Sequence, residues 1–182
     1  MLITKDGRVA LIALNCELYA VSLIGADSES HGGIRKAIFS SPIVGVASGR
    51  NALVAVALAD KSLFTNLRYP ESFESFSVEE SRGNNSPDAK ESSFHTQKKL
   101  TSIIAAEITG HGDAFVASDR VGEIWGFGAN KSPSEQTSVN LGGHPTSVLT
   151  SVALSPCGSY LASTDRNEKI RIAGFPQMLK VP

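Results

Sequence analysis

Short apolar runs rich in Val, Ile and Ala recur along the chain, broken roughly every eight to twelve residues by Gly, Asn, Asp or Ser, which is an all-β rhythm. The pattern predicts strands at 9–14, 18–23, 43–48, 52–58, 62–67, 101–107, 114–118, 123–127, 148–154, 160–163 and 169–173. No stretch carries an apolar stripe at helical spacing long enough for an amphipathic helix.

The strands also repeat. SDRVGEIWGF, from Ser118, and TDRNEKIRIAGF, from Thr164, superpose with Ile124 on Ile170. Fainter copies, ADKSLFTNL and LNCELYAVSL, put Leu63 and Leu18 at the same place. The interval is about that of WD-type blades, whose small antiparallel sheets bury their faces only against neighbouring blades. The expected fold is therefore all-β, a partial WD40-type β-propeller of about three to four blades. Residues 1–69 are read as an N-terminal hairpin and first blade, 70–99 as an insertion, and 100–182 as two further blades, the last truncated. The insertion is rich in Ser, Glu, Asn and Lys and cannot bury enough apolar surface to offset ordering, so it is expected to be a disordered excursion. A phosphorylated regulatory loop built on Ser72, Ser75, Ser81 and Ser86 is the functional alternative.

In a WD repeat a Gly-His pair precedes the innermost strand and an Asp occupies a turn, so that His, Ser or Thr, Asp and Trp join in a buried hydrogen-bond chain. Gly143-His144 stands in the expected place, which gives His144 a structural role between blades. Gly110-His111 falls within a strand connection instead. In the fourth unit Asn167 takes the turn-Asp position and Ala173 the Trp position; in the third, Val121 and Phe127 do. The chain is expected to be incomplete, with apolar packing compensating. Trp125 reads as a core or inter-blade filler.

Composition narrows the chemistry. With 182 residues, 41% hydrophobic and 19% charged, the chain fits one globular domain or part of one, and a net charge of −1 disfavours strong nucleic-acid binding by this chain alone. Cys16 and Cys157 lack CxxC spacing and read as free thiols of a reducing compartment. No run of about 18 apolar residues occurs, so a soluble intracellular protein with no membrane role is expected. His31, His95, His111 and His144 lie in different loops without metal-ligand spacing, and GxGxxG, GxSxG and GxxxxGK[ST] are absent. No metal, cofactor or catalytic residue is expected.

One stretch is more specific. GGHPTSVLTSVALSPCGSYLASTDRNEKIRIAGFP, residues 142–176, closely resembles the non-catalytic WD-repeat subunit of tRNA (guanine-N7-)-methyltransferase, and VASDRVGEIWGF resembles the blade before it. The match is carried by S-x-L-T-x-V-A-x-S-P followed by D-R-x-E-K-I-R, and extends more loosely over 43–67 and the N-terminal hairpin. The resemblance implies a seven-bladed propeller, with no chemistry of its own, that forms a heterodimer with the Rossmann-like catalytic subunit. That complex grips tRNA and methylates guanine N7 in the variable loop, in the nucleus. Arg166, Glu168, Lys169 and Arg171 then lie at or support the surface that meets the catalytic subunit, on a turn shaped by Asp165 and Asn167. Lys169 is the expected direct contact, its ammonium meeting a partner carboxylate, while Arg171 braces the turn by pairing with Glu168 or Asp165. The family usually has Asp at Asn167, so one charge is lost.

Four repeat signatures do not close a seven-bladed ring, and QMLKVP falls where an outer strand is expected, so the chain reads as a fragment, short isoform or truncated gene product. Two other functional classes remain open. A generic WD-repeat adaptor of another complex, such as a ubiquitin ligase, fits the blades but leaves D-R-x-E-K-I-R unexplained. An enzyme on a propeller scaffold has no positive feature.

Overall fold

The computed structural model describes residues 1–4, 7–23, 34–49, 53–68, 93–96, 98–108, 112–128 and 138–175. These form four antiparallel sheets in chain order, with no helix among them. The first holds β1 (Leu2–Ile3), β2 (Val9–Leu14), β3 (Glu17–Ser22) and β4 (Ile34–Ile38). The second holds β5 (Ile43–Ser48), β6 (Leu53–Leu58), β7 (Ser62–Arg68) and β8 (Ser93–His95). The third holds β9 (Leu100–Ile108), β10 (Gly112–Asp119), β11 (Glu123–Gly128) and β12 (Val139–Gly143). The fourth has β13 (Leu149–Leu154), β14 (Tyr160–Asp165) and β15 (Ile170–Gly174). The first strands of successive sheets neighbour one another, β1 against β5, β5 against β9 and β9 against β13, as blades do around a propeller axis.

The hydrophobic pattern dictates this stacking. LVAVAL in β6 has no polar face, so it needs cover on both sides, and every residue of it is buried. Three cores provide the cover, each straddling two sheets. Val9, Leu11, Leu18 and Phe39 meet Val54, Val56, Leu58 and Phe64 between the first and second. Leu53, Ala55 and Leu63 meet Ile103, Phe115 and Phe127 between the second and third. Ala114, Val116, Ile124 and Leu141 meet Leu149, Val152, Leu161 and Phe175 between the third and fourth. At about 1.5–3 kcal/mol for each fully buried Val, Leu or Phe, these junctions and not the single sheets hold the fold.

Several expectations change. The predicted N-terminal hairpin is the middle of a complete four-stranded sheet, closed by β1 and β4. Ser93–His95, inside the span expected to be a disordered excursion, is the outer strand β8, paired with β7 from Ser62↔His95 to Phe64↔Ser93. Ser72, Ser75, Ser81 and Ser86 lie outside the described residues. No helix of the described residues is long and apolar enough to cross a membrane.

The hairpin turns ahead of β3, β7, β11 and β15 differ in length but share one backbone feature. Asn15, Lys61, Gly122 and Glu168 all adopt positive φ (54°, 76°, 97° and 63°), and each sits at the end of the turn or within it, ahead of β3, β7, β11 and β15. That left-handed residue lets a short loop reverse the chain without splaying the strands.

Candidate docking turn and its hydrogen-bond support

The turn between β14 and β15 is built around Asp165. Its Oδ1 accepts the backbone N–H groups of Asn167 at 2.9 Å and Lys169 at 3.0 Å, an Asx-type arrangement that fixes the loop. The β10–β11 turn repeats it, with Asp119 Oδ1 accepting from Val121 and Glu123, each at 2.9 Å. Asp165 and Asp119, not Asn167 and Val121, are thus the turn aspartates. Asn167 instead donates from its side-chain amide to Ser147 Oγ at 3.1 Å.

The second carboxylate oxygen is satisfied differently in the two blades. Asp119 Oδ2 accepts the indole N–H of Trp125 at 3.0 Å, so Trp125 is a half-buried anchor as well as a filler. Asp165 Oδ2 is 3.0 Å from His144 Nδ1, and His144 Nε2 is 2.8 Å from Ser163 Oγ. A Ser163–His144–Asp165 chain therefore forms, more of the hydrogen-bond network than the sequence suggested. Only its Trp end is missing. Arg171 pairs opposite Ser163 just as Trp125 pairs opposite Ala117, and it stands where that Trp would be. Its guanidinium donates to the Gly143 carbonyl, not to Glu168 or Asp165 as expected. It braces the connection before β13.

Burial pushes the Asp165 carboxyl up, but donation from the Lys169 N–H, His144, the Asn167 N–H and Ser147 outweighs it and holds the group at about 2. Ser163, His144 and Asp165 have the order of a hydrolase triad, yet Ser163 is only 3% exposed, so no substrate carbonyl reaches its Oγ. The row stabilises the fold. No group of three or more His, Cys, Asp or Glu residues among the described residues could hold a metal ion. His31 and His111 lie outside them.

Around this rigid support Arg166, Asn167, Glu168, Lys169 and Arg171 are all exposed. The backbone of Arg166 is tied to the residue just before β13, its N–H donating to the Val148 carbonyl at 3.0 Å. One neighbouring surface was not legible from the pattern of residues: Ile170 and Ile172, alternating with Arg171, are 69% and 71% exposed.

The sheet geometry defines the class. The chain has the fold of a WD40-like β-propeller, and its four sheets correspond to part of such a ring. It is similar to the β-propeller domain of Cps50 (Swd1) from Myceliophteria thermophila, with 10% identity and a TM-score of 0.67 over 97% of this chain and 51% of that one. It is also similar to BBS1N, crystallised in complex with ARL6DN, with 14% identity and a TM-score of 0.60 over 92% of this chain and 46% of that one. The chain spans about half the length of these structures. No family model matches the sequence, and no curated protein matches it.

Proposed function

We propose that the chain is a non-catalytic scaffold that docks a protein partner through the β14–β15 turn, and that the partner is the catalytic subunit of a tRNA (guanine-N7-)-methyltransferase. The observation that carries the docking role is the turn itself. Asp165 clamps its backbone with two hydrogen bonds, while the side chains of Arg166, Glu168 and Lys169 stay in solvent. Pre-ordered charge of this kind loses little entropy on association and meets complementary charge well. The partner's identity rests on the resemblance of residues 116–127 and 142–176 to the methyltransferase scaffold subunit. On this reading the two chains form a heterodimer in the nucleus, tRNA is engaged through the complex, and Lys169 pairs with a carboxylate of the catalytic subunit.

Co-purification tests this directly. Lys169→Glu should abolish capture of the catalytic subunit, and a Glu→Lys or Asp→Lys change at the facing carboxylate should restore it. Undiminished capture by Lys169→Glu would overturn the assignment. The fold of BBS1N, itself crystallised with a protein partner, favours a second reading in which the same turn serves another complex. Lys169-dependent capture of a different protein would select that one.

A further inference from the structure

The hairpin turns and the connections between sheets are laced into one ridge. Each connection begins with an N–H that donates to the preceding turn: Phe39 to the Cys16 carbonyl at 2.8 Å, Thr96 to that of Lys61 at 2.8 Å, and His144 to that of Gly122 at 2.7 Å. Each ends on a carbonyl that accepts from the following turn: Pro42 from Ala59 at 2.8 Å, Lys99 from Arg120 at 3.1 Å, and Val148 from Arg166 at 3.0 Å. Turn and connection thus alternate along one edge of the four sheets, with their backbone ordered in advance of any ligand.

Charge is unevenly spread along this ridge. The whole chain has 17 Lys and Arg against 18 Asp and Glu. From the β6–β7 turn onward, however, the described residues of the ridge present Lys61, Lys98, Lys99, Arg120, Arg166 and Lys169 against Asp60 and Glu168. The turn aspartates Asp119 and Asp165 do not cap these cations, because they are 0% and 5% exposed and accept hydrogen bonds from within their own blades. Lys98, Lys99 and Arg120 are exposed, and no hydrogen bond or ion pair among the described residues engages their side chains. Val121 follows Arg120 at 44% exposure, an apolar side chain set among the cations. Clustered charge of one sign on a fixed backbone attracts a ligand of the other sign.

We propose that the stretch of ridge carrying Lys61, Lys98, Lys99, Arg120 and Val121 binds an acidic polypeptide segment with an apolar residue among its carboxylates. The carboxylates meet the lysines and the guanidinium fork of Arg120, and the apolar side chain covers Val121. A nucleic-acid backbone fits less well, because it offers Val121 nothing and Asp60 repels its phosphates. The inference does not rest on the methyltransferase assignment: none of these residues belongs to the β14–β15 turn, and capture that proves independent of Lys169 leaves it standing.

The probe is the fluorescein-labelled peptide Glu-Glu-Glu-Glu-Leu-Glu-Glu-Glu-Glu, titrated with the full chain and followed by anisotropy. Saturable binding that weakens as sodium chloride is raised is expected. Lys98→Glu with Lys99→Glu should weaken it about tenfold at low salt, and so should Arg120→Glu. Arg8→Glu, the same charge change in the β1–β2 connection at the opposite end of the blades, should leave it unaltered. Replacing the central Leu of the peptide by Glu should weaken binding to the unaltered protein but not to Val121→Ser. Absence of saturable binding by the unaltered protein would overturn the proposal, as would equal losses from Arg8→Glu and Arg120→Glu. Tighter binding of a duplex RNA, lost in Arg120→Glu and indifferent to Val121→Ser, would overturn it in favour of a phosphate backbone.

Discussion

Removing the Ser163 hydroxyl isolates how much the buried row beneath the turn contributes. Ser163 Oγ lies 2.8 Å from His144 Nε2, with Ser163 3% and His144 2% exposed, so Ser163→Ala leaves a ring nitrogen without its partner and without access to bulk water. Such an orphaned group costs about 2 kcal/mol, and no cavity term of consequence is added by one oxygen. The next residue supplies the control. Thr164 Oγ1 meets Thr150 Oγ1 at 2.9 Å at an exposed position, where water can replace the bond, so Thr164→Val should cost less than about 0.5 kcal/mol. In urea, with a dependence of roughly 2 kcal/mol per molar, Ser163→Ala should lower the midpoint by about 1 M and Thr164→Val should barely move it. Fluorescence of Trp125, held on Asp119, reports the transition. In a His144→Leu background the Ser163→Ala penalty should largely vanish. Equal losses for the two single substitutions, or an unchanged penalty in that background, would refute burial as the source of the difference.

The carboxyl of Asp165 is held at about 2 against an ordinary 3.8, so it binds fewer protons folded than unfolded. Its stabilisation is full above pH 3.8 and lost as pH falls through about 2, and Asp165→Asn should flatten that acid limb in pH-dependent melting. Gly122→Ala should destabilise by about 3 kcal/mol or more in urea titrations. A Cβ there, at φ +97°, would stand 2.0 Å from the His144 carbonyl oxygen and 2.6 Å from that of Ser147, both main chain. Gly142→Ala, with nothing within 4 Å, should cost only the left-handed backbone, roughly 1 kcal/mol. Cys157, exposed, has its thiol drawn down to about 7 by hydrogen bonding to the Ser155 and Ser159 side chains and the Ser159 backbone, so iodoacetamide should label it readily at neutral pH. Ser155→Ala should slow that labelling.

The strands that bury a regular face were legible in the sequence, and those at the outer rim were not. VALIAL, LVAVAL and LTSVAL declare themselves because inter-blade packing selects apolar β-formers. IRKAI, SFH and VNLGG, the fourth strands of three sheets, are short, charged or glycine-bearing because one edge meets no neighbour, and their sequences read as loop. The turn aspartates were visible but misassigned. Asp119 and Asp165 occupy the same place in SDRVGEIWGF and TDRNEKIRIAGF, the shared acid in two otherwise different turns, and that coincidence was the signal for Asx bonding. The Trp125 and Arg171 difference could not be resolved from spacing, since it depends on which acceptor, Asp119 Oδ2 or the Gly143 carbonyl, lies across the connection.

The burial of β6 and β10 on both faces also sets the order in which the molecule comes apart. Amides of Leu53–Leu58 and of Ala114–Ser118 can exchange with solvent only after two junctions open, whereas those of β15 need one. Hydrogen exchange should therefore fall into a gradient, slow in the second and third sheets and fast at both ends, as in a short linear array.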